Sequence, residues 1–587
     1  MTLFWGIIGI LHAVFLPGAA ICALIAPRRL GPARFASLAF ILSLVVNYVM
    51  AMVLVQASLY TRPALMLAAT ASALILLAAS QARGPSEDER PQTKPYYKPD
   101  KAKYISYSFN LIFFAALLLV ALFFHKTVFK SIDQILSWNY WAGSWAANSY
   151  PQIRGDYPQL MPIIKSIPYI FIGTTDILVF SIVSLDIFIV FFLICLSTLK
   201  GGRYGPAVPV VALLSVYFWV ITQAGYADAM VGLLALMAFV ILQWGLEPGL
   251  GRGERRLHLF LAFQAAAAAA IIKQTGMLWW PWFVLVAAEL LEGRPVRERA
   301  RILFLPVLAS ALVAFPWYLY NRYLIAHGEV APNILLIINS PEIYQGRGLA
   351  ARICRALGHY PQYFLFLVPA VWGLKAKGLR FLSASSIFMV LCFLFLFSYA
   401  SRNLRFPVML SFFPLGCLID SWHENGSLGR QYARLCAFLS KAGQVLLRRT
   451  ILCASVVLAV ILGISYANGT SIDQKLLRER VRSSLEVGLS GVTKRIDWLQ
   501  SQSPQSMLSI DGRLKQLLSV QDEGFVSYGE HGGFALGDFG YIVISDAFLP
   551  SLQDLGLDEL FAKDFQERDI SIYVRRDLIG TIYGLDH

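Results

Sequence analysis

The sequence predicts a multi-pass α-helical membrane protein, with about fourteen transmembrane helices and a small C-terminal soluble α/β domain, on three observations. Of 587 residues, 57% are hydrophobic and only 15% charged, against about 25% charged in a typical soluble protein. The mean hydropathy is +0.59, which is more apolar surface than a water-soluble core hides. Charge is also segregated: residues 469–587 hold 12 Lys and Arg against 18 Asp and Glu, whereas the chain before them holds 38 against 18. A soluble enzyme, a nucleic-acid binder and a disulfide scaffold are all excluded by this balance. Basic loops beside acidic phospholipid account for the net charge of +14 without nucleic acid.

A bilayer core needs about 20 apolar residues per helix. Windows of that size fall near 3–26, 34–56, 63–80, 107–124, 177–197, 206–222, 228–244, 258–275, 277–291, 303–320, 361–374, 381–399, 407–421 and 450–467. Alternate loops carry most of the cations: Arg28, Arg29 and Arg34, then Arg83 to Lys103, Lys200 and Arg203, Arg252 to Arg256, Arg294 to Arg301, Lys375 to Arg380, and Arg430 to Arg449. By the positive-inside rule that set faces the cytoplasm, and both termini lie outside. The uncharged start MTLFWGIIGILHAVFLPG reads as a retained span, because it lacks the basic flank of a signal peptide.

The domain order follows: N-terminal transmembrane helices over 1–81, a Pro-rich charged cytoplasmic linker over 82–105, a transmembrane module over 106–468 with outer loops 125–176 and 321–360, and an outer α/β domain over 469–587. In that last region residues 472–500 read as a helix. Runs at 506–510, 525–528, 541–545 and 570–574 read as strands, and 549–562 as a helix. Seven cysteines contain no CxxC pair, which argues against a zinc or disulfide framework.

The most informative segment is SIDQILSWNYWAGSWAANSYPQIRGDYPQLMP, residues 131–162. Ile135, Trp138, Ala142 and Trp145 share one helical face with Trp141 beside it, which predicts an amphipathic helix lying in the membrane interface. Asp133 falls in its first turn, where the helix dipole and nearby Lys126 and Lys130 favour a carboxylate. It reads either as a helix cap or as an anionic group held at headgroup height.

An acid just after an in-to-out span, a Trp-rich helix and then YPQLMP at 157–162 resemble the first outer loop of the GT-C superfamily of glycosyltransferases. The likeness spans roughly residues 105–420. Those integral membrane enzymes move a sugar from a polyprenyl-phosphate carrier to an acceptor outside the cytoplasmic membrane, and include protein O-mannosyltransferases, lipid A aminoarabinose transferases and arabinofuranosyltransferases. The resemblance implies that Asp133 is catalytic. It also implies that Asp228 in GYADAM, Lys273 in IIKQTG and Arg405 in SRNLRFP line a donor pocket, with Arg402 and Tyr226 beside them. Two departures stand out: Gln134 occupies the place where many relatives have a second acid, and three spans precede the loop rather than one.

These residue types suit the chemistry. Fixed cations stabilise a departing phosphate, each such contact typically being worth about 10²–10³ in rate, and a carboxylate base contributes roughly 10²–10⁴-fold. A single base attacking opposite the leaving group predicts inversion. Any metal is expected to be a weakly held magnesium or manganese ion near Asp133 or Asp228, and no cofactor is otherwise implied. Asp156 and Tyr157, with Glu342 and Tyr344 in the second loop, are candidates for the acceptor or for a lid.

Each member also has a structural reading: Asp228 as a helix cap, Lys273 snorkelling to headgroups, the arginines on lipid phosphate, and Trp279, Trp280 and Trp282 as an interfacial belt. Partners are a polyprenyl-phosphate-linked sugar, membrane lipid and a glycan, lipid or protein acceptor. The competing classes are a secondary transporter or flippase, which predicts broken helices and midplane polar sites, and an O-antigen ligase or polymerase. Asp186, mid-span, fits the transporter reading better than the enzyme.

Overall fold

The computed structural model describes residues 2–25, 30–82, 138–151, 157–175, 178–199, 207–222, 227–247, 250–327, 366–396, 405–424, 491–492, 494–503, 507–509, 525–527, 540–545, 557–567 and 570–583. The chain forms two compact units. One comprises 1–151, 157–319 and 334–470. The other gathers 471–587 with the short segments 152–156 and 320–333.

The first unit is helical. Its helices are α1 (Thr2–Val14), α2 (Leu16–Ile25), α3 (Pro32–Gln56), α4 (Arg62–Ala82), α5 (Tyr140–Ala146), α6 (Leu160–Ile172), α7 (Leu178–Leu196) and α8 (Val208–Thr222). Then follow α9 (Asp228–Gly245), α10 (Arg252–Ala270), α11 (Gln274–Leu290), α12 (Val296–Ala326), α13 (Leu367–Gly373), α14 (Arg380–Leu396), α15 (Arg405–Leu410) and α16 (Phe412–Glu424). Among the described residues, α3, α4, α9 and α12 are long and apolar enough to cross a membrane, and α1 with α2 makes a fifth if that pair, bent by 45°, is one span. The other apolar helices are shorter, although most coincide with the windows expected from hydropathy. The windows at 107–124 and 450–467 lie outside the described residues.

Burial separates two kinds of apolar helix. Nearly every residue of α9 is buried, as a central helix requires. By contrast Leu67, Leu74 and Leu77 on α4, and Phe304, Leu305, Leu312 and Leu319 on α12, are large, apolar and exposed, a distribution suited to lipid rather than water. Close approach holds α10 against α11: a Cβ at Gly276 would lie 2.1 Å from the Ala269 carbonyl oxygen, so only glycine fits. The bend between α1 and α2 frees carbonyls, and Asn47 Nδ2 on α3 donates to those of His12 and Ala13 at 2.9 Å each.

Helix ends meet in two groups. Arg34 pairs with Glu247 and stands 5.2 Å over the Trp244 ring. On α11 the buried Glu289 carboxylate accepts backbone N–H groups from Gly378, Arg380 and Phe381 at 2.9, 3.2 and 3.0 Å, so it binds the start of α14. The opposite ends of α9, α10 and α11 carry Asp228, Ala270 and Lys273.

The second unit contains a five-stranded sheet of order β2-β1-β3-β5-β4, from β1 (Met507–Ser509), β2 (Phe525–Ser527), β3 (Tyr541–Ser545), β4 (Phe561–Glu567) and β5 (Ile570–Arg575). Strand β1 runs parallel to β2 and β3, whereas β5 is antiparallel to β3 and β4. A helix over 494–502, here α17, lays Ile496 and Leu499 on Tyr541, Val543, Ile570, Ile572 and Val574, the alternate residues of the central strands. The Tyr541 hydroxyl lies 3.1 Å and 2.7 Å from the carbonyls of Leu499 and Ser503 at the C-terminal end of α17. The expected helix over 549–562 is described only as the single turn α18 (Leu557–Leu560), which gives way at Phe561 to β4, a strand not among those expected, and α19 (Arg576–Tyr583) closes the described chain. The strand's polar face and a bulge at Asp564, between Lys563 and Phe565 in register, hide its alternation.

Candidate functional site

Asp228 is the first residue of α9, and the N-cap position before it is Ala227. Fully buried, its two carboxylate oxygens each accept a hydrogen bond at 3.0 Å from Nζ of Lys273. Lys273 stands in extended backbone between α10 and α11, as the N-cap residue of the latter. The capping and snorkelling readings of these two residues therefore give way to an internal ion pair. Among the described residues, no three His, Cys, Asp or Glu side chains converge as a metal site would require.

The start of α6 reaches the same turn. The backbone N–H of Leu160, the first residue of α6, donates to the Ile271 carbonyl at 3.0 Å, and the Tyr318 hydroxyl donates to that of Ala270 at 2.7 Å. Gln159 just before α6 accepts the Trp145 indole N–H at 3.0 Å. Tyr157 packs against Trp138 and Trp141 with ring centroids 5.8 and 5.7 Å apart. The YPQL stretch is thus the joint between the Trp-rich helix and the Lys273 turn.

Two expectations are corrected here. The Trp-rich helix does not present its aromatic face to lipid: Trp138, Trp141 and Trp145 are buried in protein, because Tyr157, Gln159 and Tyr60 supply ring and hydrogen-bond partners that hydrocarbon lacks. Nor is 125–176 a loop throughout, since 160–172 form the buried helix α6. Its Lys165 is fully buried. It is the one Lys, Arg, Asp or Glu in the sequence run LMPIIKSIPYIFI, a signal that was legible in the sequence.

Of the tryptophans after Lys273, Trp279 and Trp280 are buried and Trp282 is half-buried. Trp279 lies 5.0 Å from Phe283, Trp280 donates to Ser310 Oγ at 3.1 Å, and Trp282 lies 5.1 Å from Phe388. Arg405 is the first residue of α15, and nothing of its side chain is described. Asp133, Tyr226, Arg402, Asp156, Glu342 and Tyr344 lie outside the described residues. Asp186 sits mid-way along α7, half-buried.

The electrostatics of this end are lopsided. Helices α9 and α11 begin here, each N-terminus equivalent to roughly +0.5 charge, while α10 ends here with roughly −0.5, partly met by the Tyr318 hydroxyl and the Leu160 N–H. Added to a Lys273–Asp228 pair that is neutral as a unit, they leave a net positive field suited to an anion. Comparison with protein-family models, with curated proteins and with solved structures returned no match.

Proposed function

We propose that the protein is an integral membrane glycosyltransferase. In this reading it moves one sugar from a polyprenyl-phosphate carrier to an acceptor hydroxyl on the outer face of a bacterial cytoplasmic membrane, with the C-terminal unit in the periplasm. One observation carries the reading: the end of the first outer loop, where the likeness to GT-C enzymes is densest, is hydrogen-bonded to the turn that bears Lys273, and Lys273 is held by Asp228.

The bond between the anomeric carbon and the carrier phosphate breaks as a new bond forms to the acceptor oxygen. Asp133 takes the acceptor proton, and attack from the face opposite the phosphate inverts the anomeric centre. The departing phosphate keeps the bonding electron pair. Its growing charge is met by the positive end of α9 and α11, by Lys273 oriented through Asp228, and by the arginines at 402 and 405. Tyr226 lines the donor pocket, and residues 156, 157, 342 and 344 serve the acceptor.

The purified protein should be incubated with several polyprenyl-phosphate sugars, wild type beside Asp133→Asn. Transfer by the wild type and its loss in the variant support the reading, and equal turnover in both removes it.

A secondary transporter is the second reading, favoured by the bent α1–α2 pair and by the fully buried His12 at its break. Solute uptake into vesicles without sugar transfer would favour it over the enzyme.

A further inference from the structure

The turn after α3 has an uncommon backbone. That helix ends with Ser58 in left-handed backbone, φ 56°, the Ser58 N–H donating to Val55 and the Leu59 N–H to Leu54. Helix α5 ends in the same way: Asn148 has φ 57°, its N–H donates to Trp145, and the Ser149 N–H donates to Ser144. Each is a helix-ending motif that ordinarily uses glycine at the left-handed position. Here both positions carry side chains, and the two caps face each other.

They are joined. Asn148 Oδ1 accepts the Tyr60 backbone N–H at 3.0 Å, and Gln56 Nε2 donates to the Tyr150 hydroxyl at 2.9 Å. Tyr60 is fully buried, with its hydroxyl 3.1 Å from Ser166 Oγ on α6 and its ring edge-on to Trp145 at 6.3 Å. One tyrosine therefore touches the exit of α5, its last tryptophan and the helix that follows the loop. Asparagine tolerates left-handed backbone better than other non-glycine residues, but glycine would end the helix equally well. The asparagine side chain is needed for the contact with Tyr60.

We infer that the turn between α3 and α4, through Tyr60 and Asn148, is a positioning clamp for the Trp-rich segment of the first outer loop. The helices preceding that loop thereby acquire a role: they hold the segment whose N-terminal neighbour is Asp133. The inference rests on the reading of Asp133 as base. Tyr60 and Asn148 are positioning residues, because they act on the loop and not on the substrate.

The test uses full-length protein in lipid nanodiscs and three variants. Asn148→Gly keeps the left-handed backbone and deletes the acceptor, Asn148→Asp keeps an acceptor, and Tyr60→Phe keeps the ring while removing the Ser166 contact. Hydrogen exchange over 140–146 reports the clamp without reference to activity, and transfer kinetics report its use. The expected result for Asn148→Gly is faster exchange and a kcat lower by roughly 10–100-fold, the scale on which misplacement of a catalytic group acts. Donor KM changes far less than kcat, because the Lys273 turn keeps its own bonds to Leu160 and Asp228, and Asn148→Asp restores both readouts. Tyr60→Phe should show a smaller change of the same sign.

Unchanged exchange in Asn148→Gly would overturn the clamp, and faster exchange at full kcat would overturn its positioning role. A wild type that transfers no sugar removes the proposed function and the catalytic half of this inference together, while the exchange arm still decides whether the clamp exists.

Discussion

Nζ of Lys273 lies 3.0 Å from both carboxylate oxygens of Asp228, and the carboxylate is buried. Removing either partner leaves an uncompensated buried charge, which costs about 3–5 kcal/mol. Asp228→Asn and Lys273→Met should each lower the thermal midpoint markedly, and the double variant should recover much of the loss. Calorimetry in one detergent across the four proteins checks this. Additive losses in the double variant would contradict the pairing.

Glu289 binds three backbone N–H groups at the start of α14. Hydrogen bonds to a charged group contribute about 1.5–3 kcal/mol each, with imperfect additivity. Glu289→Leu should therefore destabilise the first unit by several times the effect of an average surface substitution, read as a fall in the denaturant midpoint. Glu289→Gln, which keeps one acceptor oxygen, should fall between it and wild type.

At Gly276 an added methyl group would meet the backbone of α10 at 2.1 Å. Gly276→Ala should force α10 and α11 apart and cost roughly 1–3 kcal/mol, as overpacking does. It should also lower affinity for the donor, because the same displacement moves Lys273. A variant with wild-type stability would show that the two helices part more easily than their geometry implies.

Alkaline pH should loosen the C-terminal unit. Burial, together with the hydrogen bond to Asp564 and its negative charge, pushes the Tyr583 phenol up to about 12. The folded unit thus keeps that proton more tightly than the unfolded chain, so the contribution is complete below the ordinary tyrosine value near 10 and is lost as pH rises toward about 12. Arg495, bidentate to Asp564 and 4.1 Å over the Trp498 ring, belongs to the same cluster. Absorbance at phenolate wavelengths with parallel circular dichroism tests the shift. In Tyr583→Phe the alkaline loss should shrink.

Hydropathy made the helices legible because burial in lipid and burial in protein ask for the same residues, and for that reason it could not tell them apart. Trp138, Trp141 and Trp145 gave a correct helical face and a wrong destination: their partners Tyr157, Gln159 and Tyr60 are distant or polar in sequence. Asp228 and Lys273 were legible as unusual charges at span ends, but only three-dimensional proximity makes them a pair. Helix α6 was missed because Lys165 and Pro168 interrupt an apolar run too short to span a bilayer. Strand β4 was missed because a bulge at Asp564 breaks its alternation. Tyr60 and Asn148 carried no sequence signal, since a left-handed backbone is invisible where glycine is absent.

In the proposed reaction the Lys273–Asp228 end of the helical unit holds the carrier phosphate. Equilibrium binding of polyprenyl phosphate to the wild type and to the double variant Asp228→Asn/Lys273→Met, which removes the pair without stranding a charge, tests it most directly. The account predicts affinity weaker by about 10–100-fold, the equivalent of one charged hydrogen bond. Equal affinity in the two proteins would contradict it.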